Sequence, residues 1–407
     1  MHRHRPHGWL RHYAAFLSPN ALGALTVLSE RDRELRLRRL RAAVGDRARE
    51  RYASSRPRMR ALQVLPGARL RWQSVPAPLP PGVDGAVVHP IASSTCDIDC
   101  PLALGSSQFA LPLHLGHECV AEVLTVGERV STVKPGDLVI VPFEINCGEC
   151  AQCLAGHTGS CTSVPPISAY GMGLATGHWG GALADELAVP YADAMLIPLP
   201  AGIDPAAAAS LADNVCDAFR HIGPHLPALL ERDPDAEVLI IASLEERSLF
   251  SGSVPLYTAL LARVLGARNV TLIDAREQIR AHAERLGLTA LHPRELRGRA
   301  LAPLVVDLTI DKIGVALSQT EPNGVCTSSG WLHRSLRIPA LQMYVRGVTL
   351  QVGLTHARAL IPRVLELMVD GRFHPETVTT TLASLDEAPQ VLREHFLGAG
   401  VKAVLTV

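Results

Sequence analysis

The chain has 407 residues, 47% of them apolar, and its 39 lysines and arginines balance 39 aspartates and glutamates. Such a length and composition bury large cores and divide into two or three domains. No apolar run approaches the ~20 residues needed to span a bilayer, so no membrane partner is expected.

Charge is concentrated at the front, where residues 1–60 hold fifteen arginines and no lysine against five acids. Within it, Arg31–Ala53 spaces leucines at helical intervals among arginines, the pattern of an amphipathic helix. A nucleic-acid or anionic-membrane arm is the functional reading. A solvated helix, or residues ahead of the true start, is the plainer one, and it is preferred because a basic run alone identifies no partner. Nucleic acid is therefore not expected. Pro19 and Asn20 interrupt the early apolar patch and no small-residue cleavage site follows, which argues against a secretory signal. Met59 then opens MRALQVLPG, which reads as the first strand of a domain.

Next come STCDIDC (Ser94–Cys100) and LGHECVAEVLTVGERVSTVKPGDLVIVP (Leu115–Pro142), where His117 and Glu118 precede alternating apolar residues typical of strands. NCGECAQCLAGHTGSC (Asn146–Cys161) follows, placing Cys147, Cys150, Cys153 and Cys161 at the spacing C-x2-C-x2-C-x7-C. Four thiolates on one short loop close a tetrahedral shell around zinc and leave no position for a substrate; an iron–sulfur site is the alternative. An odd number of cysteines, four of them crowded, fits metal binding in a reducing compartment, so the expected location is cytoplasmic. Chemistry needs a second, open site. SLADNVCDAF (Ser210–Phe219) offers Asp213, and a thiolate from Cys96, an imidazole from His117 and a carboxylate from Glu118 or Asp213 make a three-ligand catalytic zinc site.

AEVLIIA (Ala236–Ala242) reads as a buried parallel strand, YTALLARVLGA (Tyr257–Ala267) as a helix ending at Gly266, and NVTLIDA (Asn269–Ala275) as the next strand. This βαβ unit points to a nicotinamide dinucleotide. Its pyrophosphate would meet backbone N–H groups near Gly252 and Ser253 at the helix start. Asp274, ending the second strand, would accept from the adenosine ribose and repel the phosphate of NADP, which favours NAD; Arg276 keeps NADP open. PLVVDLTI (Pro303–Ile310) and GVCTSSG (Gly324–Gly330) read as further strands whose loops, Gly324 included, face the nicotinamide end.

Taken in order, Cys96, the GHE at 116–118, the four-cysteine loop, Asp213 and the second α/β half resemble the zinc-dependent medium-chain alcohol dehydrogenases over residues 59–407. The resemblance implies an α/β fold: a GroES-like, β-rich catalytic domain at 59–205, a Rossmann-type doubly wound nucleotide-binding domain at 206–350, and a return segment at 351–407 completing the first. Residues 1–58 remain an arginine-rich extension. It further implies that Cys96, His117 and Asp213 hold a catalytic zinc with Glu118 exchanging onto it or sitting behind it, and that Asp99 orients His117. The four-cysteine loop would hold a structural zinc. The implied reaction is hydride transfer between an alcohol and NAD(P) to give an aldehyde or ketone, in a homo-oligomer, dimer or tetramer.

Three positions depart from the family pattern. The strand-to-helix turn carries ASLEERSLFSGSVPLY (Ala242–Tyr257), with Gly252 its single glycine in place of a glycine fingerprint. Ile98 stands where the family has a proton-relaying Ser or Thr. Asp217 stands where it has a small or hydroxylic residue near the nicotinamide; a role in cofactor binding and a helix cap are both open there, the cap being preferred. Two rivals follow. A metal-free enoyl or quinone reductase of the same fold would lack the Cys, GHE and Asp set. A zinc-containing chain that has lost catalysis and acts as a binding module would not bind NAD.

Overall fold

A computed structural model describes residues 56–105, 111–173, 179–309, 311–329 and 338–407. The expected front helix at Arg31–Ala53 and Gly330 lie outside these residues. The first half contributes strands β1 (Arg58–Leu65), β2 (Arg69–Pro76), β3 (Ala86–Ser94), β4 (Leu113–His114), β5 (Glu118–Val126), β6 (Leu138–Val141), β7 (Leu187–Val189) and β8 (Ile197–Pro198). β1 and β2 form an antiparallel hairpin that β4 extends. A second, mixed sheet runs β15-β16-β3-β5-β6-β8, with β7 beside β3, and its β15 (Thr381–Ser384) and β16 (Ala403–Thr406) come from the chain's end.

The register of this sheet builds the site. β3 and β5 pair antiparallel so that Ser94 lies opposite Glu118. Cys96, two residues past Ser94, and His117, one residue before Glu118, therefore leave the same edge of the sheet together. Gly116 makes the approach possible: its φ is +96°, and a Cβ there would stand 2.6 Å from the Leu183 backbone nitrogen. A side chain at that position would push His117 away from Cys96.

The second half is a six-stranded parallel sheet of β9 (Glu237–Ser243), β10 (Asn269–Asp274), β11 (Thr289–Leu291), β12 (Ala302–Asp307), β13 (Thr320–Ser328) and β14 (Thr349–Val352). Their order across the sheet is β11-β10-β9-β12-β13-β14. Counted from β9 this is 3-2-1-4-5-6, the doubly wound dinucleotide-binding arrangement, whose crevice opens beyond the carboxyl end of β9. β9 is apolar almost without interruption because helices cover both its faces: Val238 and Ile240 join one core, Leu239 and Ile241 the other. The helix Asn214–Ile222 packs on the first of these faces together with the helices Ser253–Val264 and Ala357–Val369. Val120 and Ile140 of the mixed sheet belong to that same core, so the two sheets share buried apolar surface.

Candidate functional site

Two groups of metal-ligating side chains stand in the described residues. In the first, the sulfurs of Cys147, Cys150, Cys153 and Cys161 all lie within 4.8 Å of one another. The loop wraps its own sulfurs: Cys147 Sγ accepts from the backbone N–H of Glu149 and Cys150, at 3.4 and 3.3 Å, and Cys150 Sγ from that of Thr162 at 3.5 Å. Such donors stabilise thiolates. All four cysteines are buried beside Val133, Ile145, Tyr170 and Met195, so four negative sulfurs here require a cation between them. The donor set fits zinc.

The second group is Cys96, His117, Glu118 and Asp213, again within 4.8 Å. Cys96 Sγ stands 3.1 Å from Asp213 Oδ2, and His117 Nε2 stands 3.4 Å from the same oxygen. His117 is buried, yet neither of its ring nitrogens has a hydrogen-bond partner. An imidazole aimed at a thiol and a carboxylate, with an orphaned nitrogen between them, fits a metal ion. Without one, burial and then the charges of Asp213, Glu118 and Asp99 push the Cys96 thiol well above its ordinary range; a cation in the cluster reverses that order and takes the proton off. Asp213 begins the helix Asn214–Ile222, but its side chain caps no backbone N–H and turns into the cluster instead. The ring of Phe143 meets that of His117 edge-on at a centroid distance of 6.2 Å.

Asp99 lies behind the histidine, its Oδ1 3.9 Å from His117 Nδ1 and its Oδ2 accepting from the Cys96 N–H at 2.8 Å. Glu118 is held from the far side by groups the sequence reading did not name. Ser94 Oγ donates to Glu118 Oε2 at 2.5 Å and Lys402 Nζ at 2.7 Å, while the Asn214 N–H donates to Oε1 at 3.2 Å. Lys402 is completely buried and donates also to the Thr95 carbonyl. Burial pushes the Glu118 carboxyl up to about 7, against the lowering pull of Lys402. The signal for Lys402 was present: it is the single charge in the apolar run VKAVLTV. Ile98 faces Leu62, Leu102 and Leu115 in an apolar cluster.

The expected cofactor residues are placed less simply. Gly252 and Ser253 do start a helix facing the crevice, and Gly252 takes a left-handed φ of +98°. Their N–H groups already donate to a carboxylate, that of Asp97, at 3.1 and 3.0 Å. Asp274 is fully buried; Arg276 donates to its Oδ1 from Nε at 2.9 Å and to its Oδ2 from Nη2 at 2.7 Å. The ladder between β9 and β10 skips Ala242, so that Asp274 pairs with Ser243. Asp217 does not cap its helix: Arg220 Nε and Thr355 Oγ1 donate to it at 2.6 and 2.5 Å. Although burial pushes it up, the charge of Arg220 leads the effects that hold it below the usual carboxylate range. Gly324 is the central residue of β13, where a Cβ would stand 2.9 Å from the Pro303 carbonyl oxygen and from Thr320. It serves strand packing, beside the second residue of β12. The sheet and helix thus fit a dinucleotide in outline, while the donors meant for its phosphates and the acid meant for its ribose have protein partners.

Comparison with known proteins agrees with this arrangement. Residues 82–201 match the alcohol dehydrogenase GroES-like domain. A Mycobacterium tuberculosis protein described as a "Probable zinc-binding alcohol dehydrogenase" is 30% identical over 345 residues, 81% of this chain and 83% of that protein. The glutathione-independent formaldehyde dehydrogenase of Pseudomonas aeruginosa is 33% identical over 242 residues, 56% of this chain and 57% of its own length. Among solved structures, the alcohol dehydrogenase of Thermus sp. ATN1 superposes with a TM-score of 0.75 at 27% identity, over 86% of this chain and 100% of that one. The chain belongs to the zinc-dependent medium-chain alcohol dehydrogenase family.

Proposed function

We propose that the chain is an oxidoreductase that moves a hydride between a small alcohol or carbonyl compound and NAD(P), with Cys96, His117 and Asp213 holding the catalytic zinc. The observation that carries this reading is the buried, unpartnered Nε2 of His117, 3.4 Å from Asp213 beside the Cys96 sulfur. When bound there, zinc supplies Lewis-acid polarisation of the substrate oxygen. Asp99 keeps the imidazole aimed, since its carboxylate lies behind Nδ1 and is itself anchored on the Cys96 backbone. Glu118 stands behind the ligands as a buried carboxylate whose charge Lys402 balances. Phe143 packs against His117 and excludes water from that side. Ile98 relays no proton, so the alcohol proton leaves by another route.

Cys147, Cys150, Cys153 and Cys161 hold the structural zinc in the same reading. Residues 59–205 and 351–407 then form the catalytic domain around the mixed sheet, and 206–350 the nucleotide-binding domain. In support, β14 is the last strand of the parallel sheet, and β15 and β16 return to the mixed one. The nine cysteines are buried thiols without disulfides, which suits a cytoplasmic protein, and no helix among the described residues is long and apolar enough to cross a membrane.

We further propose a homo-oligomer built on the β14 edge. That edge and the adjoining helix Ala340–Arg346 leave Leu341, Tyr344 and Val345 at least 75% exposed and Val352 54% exposed. An unpaired edge with apolar side chains invites a second copy to extend the sheet. Light scattering on a sizing column tests it: Val352→Asp should convert a dimer or tetramer into smaller species.

The catalytic assignment is tested by turnover of short alcohols with NAD and NADP in Cys96→Ser and His117→Ala. Both should lose turnover and one zinc per chain while keeping their circular dichroism; full activity in either contradicts the assignment.

A further inference from the structure

The helix Ser253–Val264 starts after Gly252, which has no side chain with which to cap it. Its free N–H groups are met instead by a residue over 150 positions away in sequence. Asp97 Oδ2 accepts from Gly252 N at 3.1 Å and from Val254 N at 3.4 Å, and Oδ1 from Ser253 N at 3.0 Å. Ser251 Oγ adds a bond to Oδ1 at 2.6 Å, and Ser253 Oγ another. A carboxylate receiving three N–H and two hydroxyl donors from residues 251–254, at the amino end of the first helix of a doubly wound sheet, stands where this fold receives a pyrophosphate. The surrounding loop is locked as well, because Arg276, already paired with Asp274, donates from Nη1 to the carbonyls of Phe250 and Ser251.

Asp97 is also the residue next to Cys96. Ser253 Oγ lies 2.7 Å from the amide of Asn214, whose neighbour is Asp213, so the helix start touches the chain neighbours of two residues of the mixed cluster, Cys96 and Asp213. A Ser or Asp at position 252 would be strained, because the backbone there has a φ of +98° and a Cβ would stand 3.0 Å from Arg276 Nη2. Here the capping charge sits instead on the segment that carries a metal-ligating thiol.

We propose that Asp97 is a built-in occupant of the dinucleotide-phosphate position. NAD(P) binds only after Asp97 leaves the helix, and that departure shifts the Cys96 segment, so cofactor binding and the catalytic ligand shell are coupled. The proposal rests on the dinucleotide reading of the parallel sheet. An anionic cofactor and the Asp97 carboxylate compete for the same N–H groups, so the apparent affinity for nucleotide is the intrinsic affinity multiplied by the fraction of molecules in which Asp97 is unseated.

The test is a calorimetric titration of the zinc-loaded full chain with NADH and with NADPH, in wild type, Asp97→Ala and Asp97→Asn. Asp97→Ala should bind at least one nucleotide about tenfold more tightly, since its binding site is no longer closed by the chain itself. Its melting temperature without nucleotide should fall, and the rise in melting temperature on adding nucleotide should exceed that of wild type. Asp97→Asn keeps an acceptor but loses the charge and should bind with intermediate affinity; if Asp97→Ala does not fold, it decides the matter. Nucleotide affinity equal to or weaker than wild type in the folded variants overturns the proposal and leaves Asp97 a helix cap, with the dehydrogenase reading intact. If no chain, wild type included, binds either nucleotide, the dinucleotide reading fails and the proposal with it.

Discussion

The two cysteine-bearing clusters differ in how they are assembled. Cys147, Cys150, Cys153 and Cys161 come from one fifteen-residue loop, carry one kind of donor and are buried against the apolar side chains of that lobe. Cys96, His117, Glu118 and Asp213 come from the ends of two paired strands and the start of a distant helix, and mix sulfur, nitrogen and oxygen. A local, homogeneous set closes on its ion and contributes to folding. A dispersed, mixed set forms only once the sheet and helix are in place, so its ion is free to contribute to chemistry.

Substitutions should separate the two. Cys150→Ser removes one corner of the closed set and should have the largest effect, because structural zinc sites of this kind contribute about 10 kcal/mol of apparent free energy. The expected result is a protein that is insoluble or melts far below wild type; unchanged melting breaks the distinction. Cys96→Ser should instead lower turnover by about 10³-fold or more, roughly 4 kcal/mol of barrier, with melting close to wild type. Steady-state assays and a melting curve on one preparation show both.

Lys402→Met tests whether the mixed cluster depends on charges outside its ligands. Removing the ammonium leaves the Glu118 carboxylate buried without its partner, and breaking a buried pair costs about 3–5 kcal/mol. Denaturant unfolding of the zinc-loaded protein should show that loss; a smaller one means that Glu118 takes up a proton in the variant.

The smallest effect concerns pH. Glu144, next to the four-cysteine lobe, accepts from the Arg358 N–H and from Thr158 Oγ1, both at 2.8 Å, yet burial pushes its carboxyl from 4.5 up to about 7. Between those pH values the folded protein holds a proton that the unfolded chain has released, so this group's contribution to stability falls as pH rises through the window and is level above it. Glu144→Gln should remove that slope, a difference from wild type of up to about 3 kcal/mol at pH 8. Parallel unfolding curves at pH 5 and pH 8 check it, and a variant that keeps the wild-type slope contradicts the assignment.

What could be read in the sequence follows the same division. The four-cysteine spacing is local, so its meaning survives without any fold. The mixed set required knowing that β3 and β5 pair, and family order supplied that in place of geometry. The parallel strands and the helix start at Gly252 and Ser253 were legible from apolar runs and glycine. Their occupant was not, because no local pattern connects Asp97 to a turn more than 150 residues later. Asp274 misled for a related reason: its place at a strand end is visible in sequence, but the ion pair with Arg276 that occupies its carboxylate is a property of the folded chain. Gly324 read as a cofactor glycine because a glycine required by close strand packing looks the same in one dimension.

The most direct test of the account is the zinc content of purified wild type and Cys96→Ser by elemental analysis, with circular dichroism on the same samples. Two zinc ions per chain are expected in wild type and one in a folded Cys96→Ser, a count set by the two clusters. A folded Cys96→Ser that keeps both ions, or a wild type that holds only one, would contradict it.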